Sequence, residues 1–153
     1  MLNTPPAIIL STLNAKYIHA SLGLRYLLAN MAHHGGDELR ARTVLREFTI
    51  ARPTVEIVET LLAELGDAPD RGTQIIGFGV YIWNVTATTE VIRQLKLARP
   101  DLKIVLGGPE VSHEWADQEI VRLADYLITG WGDVSFPKLC RALLHGPKPL
   151  MKV

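Results

Sequence analysis

Five short apolar runs alternate along this chain with five segments of helical periodicity, and nothing else in the sequence constrains its fold so strongly. The first run is Ala7-Ile8-Ile9-Leu10-Ser11-Thr12-Leu13. A strand with one face in water carries polar residues at every second position. A near-continuous apolar strand needs cover on both faces, as in a parallel sheet. A helix is predicted next over 21–33, with Leu24, Leu27, Leu28 and Met31 on one face and Gly35-Gly36 as its stop. Residues 39–48 alternate as a half-buried edge strand does: Leu39, Ala41, Thr43 and Leu45 on one side, Arg40, Arg42, Val44 and Arg46 on the other. Pro53 suits the first turn of the following helix, where its missing N–H costs little. Val55, Val58, Leu61, Leu62 and Leu65 give that helix an apolar stripe, and Gly66 ends it. The third strand is predicted over 74–81. Asn84 is the expected N-cap of a helix carrying Val91, Ile92, Leu95 and Ala98. A fourth strand at 102–106, a short helix at 117–123, a fifth strand at 126–129 and a helix at 135–144 complete the pattern.

Strands and helices in strict alternation give a parallel sheet with right-handed crossovers. The expected architecture is an α/β three-layer sandwich of flavodoxin-like (Rossmann-like) type, with a five-stranded parallel sheet of order 2-1-3-4-5. One domain is expected over 1–146, with 147–153 beginning a linker. In such a sheet the carboxyl ends of the strands share one edge, and ligands bind there, at the point where the strand order reverses. The loops 14–20, 81–86, 107–113 and 130–134 should converge on that edge. They bring together Asn14, Lys16, Tyr17 and His19 from the first loop, and Gly79, Tyr81, Trp83 and Asn84 from the third strand and its loop. The fourth loop adds Gly107, Gly108, Pro109, Glu110 and Ser112, and the fifth adds Thr129, Gly130, Trp131 and Gly132.

Composition removes several functions. Sixteen basic and sixteen acidic residues leave a formal net charge of zero, so no surplus of Lys and Arg supports nucleic-acid binding. No apolar run reaches the roughly 18 to 20 residues needed to span a bilayer, and the N-terminus lacks the pattern of a signal peptide. Cys140 is the single cysteine. It cannot form an internal disulfide, which suits a cytoplasmic location. Alone it cannot hold an iron–sulfur cluster, which needs several thiolates.

The loops carry the remaining signals. Two glycines at the end of the fourth strand allow a positive φ and let a flat ligand touch the backbone. On that reading Gly108→Val should weaken ligand binding. The dinucleotide fingerprint Gly-x-Gly-x-x-Gly and the Walker loop are both missing, which disfavours a nucleotide held by its phosphates. A flavin module would need a first loop rich in Ser and Thr. A phospho-acceptor receiver would need acidic residues at the first and third strand ends, where Leu13 and Tyr81 stand. His19 and His113 are each compatible with ligation or with a plain loop position. His33-His34 suits a helix C-terminus, where imidazolium meets the negative end of the dipole. Trp83, Trp115 and Trp131 all fall at or past strand ends, as a stacking surface or a partner-facing surface would require. No Ser-His-Asp order, carboxylate pair or Cys/His cluster stands out, so the residues read as a binding module without catalytic residues of its own.

Four stretches carry a resemblance: 21–27 (Ser-Leu-Gly-Leu-Arg-Tyr-Leu), 76–84 (Ile-Gly-Phe-Gly-Val-Tyr-Ile-Trp-Asn), 105–112 (Val-Leu-Gly-Gly-Pro-Glu-Val-Ser) and 125–139 (Asp-Tyr-Leu-Ile-Thr-Gly-Trp-Gly-Asp-Val-Ser-Phe-Pro-Lys-Leu), the last two, in this order and at this separation, being fairly specific. With them the chain resembles the N-terminal cobalamin (B12)-binding domain of B12-binding-domain radical SAM proteins. The resemblance implies cobalamin on the sheet's carboxyl edge and a barrel in cis that cleaves S-adenosylmethionine at a [4Fe–4S] cluster. Domains of the methionine-synthase type carry Asp-x-His-x-x-Gly after the first strand, with His as the lower cobalt ligand. Here the nearest match has Lys16 for the Asp, three residues before His19 instead of two, and His19 is one residue further from its glycine, Gly23. The family's Ser-x-Leu serine is replaced by Gly79. His19 is therefore expected not to be an obligatory cobalt ligand, because Lys16 cannot accept the hydrogen bond that fixes an imidazole tautomer. The alternative is a vestigial Rossmann-like domain that packs on the barrel and binds no corrin.

Overall fold

The computed structural model describes residues 4–15, 21–66, 72–111, 116–130 and 132–145. Its strands are β1 (Ile8–Asn14), β2 (Thr43–Thr49), β3 (Ile75–Gly79), β4 (Lys103–Gly107) and β5 (Tyr126–Leu127). Its helices are α1 (Leu22–Gly35), α2 (Asp37–Ala41), α3 (Thr54–Leu65), α4 (Val85–Ala98), α5 (Glu119–Leu123) and α6 (Ser135–His145), with a 3-10 turn at Pro109–Val111. The five strands form one sheet of order β2-β1-β3-β4-β5, every pair parallel, as the alternation requires. The expected linker at 147–153 lies outside the described residues.

The layers follow from strand periodicity. On β1, Ile9 and Leu13 enter one core, whereas Ile8 and Leu10 enter the other. The first core is closed by Ile57, Val58, Leu61 and Leu65 of α3, Val91, Ile92 and Leu95 of α4, and Ile120 of α5. The second is closed by Leu24 and Met31 of α1, Leu39 of α2, and Phe136 and Cys140 of α6. Each fully buried aliphatic side chain of these clusters contributes roughly 1.5–3 kcal/mol of transfer free energy.

Three local expectations are corrected. The segment read as one strand over 39–48 is split: Gly36 ends α1 at φ 96°, Asp37–Ala41 forms a further helix, and the strand begins at Thr43. Leu39 is 4% exposed in the second core, and the Thr43 hydroxyl donates to the Leu39 carbonyl at 2.7 Å, so a helical turn buries what strand alternation would also have buried. The apolar stripe of α3 runs through Ile57 in place of Val55, which is 56% exposed. The fifth strand pairs over two residues only, Val105 with Tyr126 and Leu106 with Leu127.

Cys140 sits on α6, buried against the sheet, and desolvation pushes its thiol up to about 12. A neutral, enclosed thiol is a poor nucleophile. Cys140 is expected to be silent to an aromatic disulfide reagent at pH 8 in the native state and to react fully in denaturant. Prompt reaction of the native protein would contradict this packing.

Candidate functional site

On the face of the sheet that meets α1 and α6, the inward positions near the carboxyl ends are Leu10 and Thr12 of β1, Gly77 and Gly79 of β3, and Val105 and Gly107 of β4. The register sets Gly77 beside Leu10 and Val105, and Gly79 beside Thr12 and Gly107. Three of these six positions carry no side chain, so the helices cannot close on the sheet there. A cavity of about 530 Å³ results, bounded by those strands, by Leu24, Tyr26 and Leu27 of α1, by Phe136 of α6, and by Gly108, Pro109, Gly130, Gly132 and Asp133 of the loops. That volume falls within the range of about 300–1,000 Å³ typical of small-molecule sites. The three glycines differ. A Cβ on Gly77 would press on the Phe136 ring at 2.9 Å, so that ring already occupies part of the hollow. A Cβ on Gly79 would meet Thr12 and Tyr81 at 3.5 Å, and one on Gly107 would meet only the Ile128 carbonyl oxygen at 3.9 Å. Both would fill empty space.

Tyr81 forms the rim. It lines the cavity, its hydroxyl lies 3.5 Å from where a Cβ of Gly23 would stand, and its ring stacks on Trp83 with centroids 4.6 Å apart and planes 7° from parallel. Close in the chain to lining residues, Leu22 (79% exposed), Ile82 (76%) and Trp83 (49%) leave large apolar groups in solvent, although none of them lines the cavity itself.

The family model of the B12 binding domain matches residues 9–140. The chain belongs to the B12 binding domain family. Comparison with curated proteins finds no match to the sequence. Among solved structures it is similar to a CheY-like protein (tadZ) from Pseudomonas aeruginosa PAO1, with 16% identity, a TM-score of 0.57, and coverage of 93% of this chain and 97% of that one. At that identity the likeness shows the fold alone.

In this B12 binding domain the structure gathers Gly79, Tyr81, Gly107, Gly108, Pro109, Gly130 and Gly132 around the cavity, as the edge reading expects. The other described candidates do not line it. Asn84 has no exposure; its amide nitrogen donates to the Leu13 carbonyl (3.0 Å), Thr12 Oγ1 (3.2 Å) and the Gly79 carbonyl (3.3 Å), while its Oδ1 accepts from Tyr81 N–H (2.9 Å). It therefore knots the ends of β1 and β3 together, and it sits at the N-cap position of α4 without a side-chain capping bond. Asn14 donates to Glu47 at 2.8 Å. The Glu110 carbonyl accepts from Gln118, and Thr129 is exposed beyond β5. Lys16, Tyr17, His19, Ser112, His113, Trp115 and Trp131 lie outside the described residues. His33 and His34 fall in the last turn of α1, as expected.

Two features were missed in the sequence. One is the apolar interior of the cavity, signalled only by glycines at alternate strand positions. The other is Glu47 on β2. Its Oε1 accepts from Asn14 Nδ2 and from Ser21 N–H (2.7 Å), and its Oε2 pairs with Arg25. One carboxylate thus ties the end of β1 to the start of α1. Among the described residues no group of three or more His, Cys, Asp or Glu is placed to hold a metal, and no helix is long and apolar enough to cross a membrane.

Proposed function

We propose that this B12 binding domain holds cobalamin with the corrin over the carboxyl edge of the sheet and the nucleotide tail in the cavity between the sheet and α1/α6. The hollow left by Gly79 and Gly107 carries this reading. It is a cradle that a single Cβ would begin to fill, lying at the edge of the sheet over which a corrin could sit. The residues fit the group: the interior is apolar, as an aromatic tail requires, and the neighbouring Leu22, Ile82 and Trp83 are exposed apolar groups. Bound cobalamin supplies a cobalt that carries an alkyl group or changes oxidation state. The chain's own part is to bind and orient it. With Lys16 and Tyr17 ahead of His19 and no acidic residue in the loop 14–20, the reading assigns His19 no obligatory bond to cobalt.

The finer reading is that the domain is the N-terminal module of a cytoplasmic radical SAM enzyme, packed in cis on a barrel that holds a [4Fe–4S] cluster and S-adenosylmethionine. The order of the stretches 105–112 and 125–139 supports it. The residues encoded after Val153 test it: a Cys-x-x-x-Cys-x-x-Cys run supports the barrel, and its absence there refutes it.

Optical titration with hydroxocobalamin tests the binding itself. Saturable change in the visible bands is expected. Gly107→Val should keep the fold, because the backbone there is ordinary strand, yet put two methyl groups into the cradle. Overfilling of a packed site costs about 1–3 kcal/mol, or roughly 5- to 150-fold in affinity. A folded Gly107→Val protein that binds as well as its parent would place the ligand elsewhere. No binding by the parent would favour a packing role without corrin.

A further inference from the structure

We infer that the cavity selects the lower base of the corrinoid, favouring an apolar benzimidazole over a purine. This rests on the proposal that the tail enters the cavity. The buried end is formed by Leu10, Leu24, Val105 and Phe136, none more than 6% exposed, and by the bare backbone of Gly77. None of these side chains can donate or accept a hydrogen bond. Phe78 and Leu106 also border the cavity, but their side chains belong to the opposite core, so only their backbone faces it.

The backbone is no better a partner. Gly79 O already accepts from Thr12 Oγ1 (2.8 Å) and from Asn84 Nδ2 (3.3 Å). Gly107 O accepts from Val80 N–H (2.8 Å), and Leu106 O from Ile128 N–H (2.9 Å). Of the polar side chains of the lining, Tyr26 is 59% exposed and Tyr81 and Asp133 are partly exposed, so each keeps access to water. A base inserted edge-first therefore brings its far edge against hydrocarbon. In dimethylbenzimidazole that edge is two methyl groups. In adenine it carries ring nitrogens and an exocyclic amine, which would be stripped of water with nothing to replace it. A buried polar group without a partner is penalised strongly, which translates here into a preference of about tenfold or more.

The test is a competition on the whole chain, followed by visible absorbance, among three probes: cobalamin, the same corrinoid with adenine as lower base, and cobinamide, which has no base. Cobalamin is expected to bind about tenfold or more tighter than the adenine form, and cobinamide weakest of the three. Equal or tighter binding of the adenine form overturns the selectivity. Cobinamide binding as tightly as cobalamin overturns the use of the cavity by any base, and with it the inference, while leaving corrin binding intact. Failure of all three probes removes the proposed function and the inference together. Val105→Thr, near in shape, sets a hydroxyl at the buried end; in a variant shown folded by circular dichroism, the cobalamin-to-adenine ratio should fall several-fold. An unchanged ratio there counts against Val105 facing the base.

Discussion

Gly108→Val should cost the domain several kcal/mol of stability, before any question of ligand arises. Gly108 has φ +110°, a region that side chains with a Cβ rarely adopt. A Cβ there would overlap the Val80 carbonyl oxygen and lie 2.8 Å from Val80 N, both backbone atoms of the neighbouring strand end that cannot swing aside. Backbone strain of this kind costs about 1–3 kcal/mol, and the collision adds to it. A total near 3 kcal/mol corresponds to a fall in Tm of roughly 6–12 °C for a chain of this size. Gly108→Ala should already show most of the loss. Thermal unfolding of both variants checks it; a Tm within about 2 °C of the parent for Gly108→Ala would mean that the turn tolerates a side chain. Because this loss of stability would mask any effect on ligand, Gly107, one residue earlier and with open space around it, is the position at which to test binding.

Asn84 should be nearly as sensitive. Asn84→Ala leaves Tyr81 N–H and the Leu13 carbonyl without their side-chain partner in a buried setting, and each unsatisfied group costs about 1–3 kcal/mol. Asn84→Asp is the sharper variant. It keeps the shape but removes the donor and sets a carboxylate against the carbonyl oxygens of Leu13 and Gly79. Burial and those oxygens both disfavour the charged form, so the folded-state pKa of the new carboxyl rises above its unfolded value of about 4. The folded protein then binds the extra proton more tightly, and stability relative to the parent must recover as pH falls toward about 4. Denaturant midpoints of Asn84→Asp and parent at pH 7 and pH 5 read this directly. A gap between them that does not narrow at pH 5 would show that the amide donor is not what holds the knot.

The order of the sheet could be read from the chain because each strand announces itself locally: Ile8-Ile9-Leu10, Ile75-Ile76 and Ile104-Val105-Leu106 are apolar on both faces, and only a covered parallel sheet accommodates that. The break between α1 and β2 could not. Residues 39–45 satisfy a period of two, yet Leu39 can equally be buried from a single helical turn, and the choice depends on Gly36 turning the chain and on space against α6. The site divides in the same way. Loops at the carboxyl edge follow from topology. The cavity depends on Gly77, Gly79 and Gly107 sharing one face of two strands in register, which no single stretch of sequence states. Asn84 carries the signature of a helix cap, and only the three-dimensional path of β1 reveals that its amide is spent on Thr12 and Leu13.

The interior place of β1 has a consequence for synthesis. Its two edges wait for partners that emerge much later, β2 at Thr43–Thr49 on one side and β3 at Ile75–Gly79 on the other. At about 5–20 residues per second, several seconds pass on the ribosome while a strand destined for burial has one edge bare. A nascent chain halted between β2 and β3 is then a two-stranded parallel ribbon with an uncovered hydrophobic edge, the form most in need of a chaperone. Completion of β3 caps that edge and lets both cores begin to close at once.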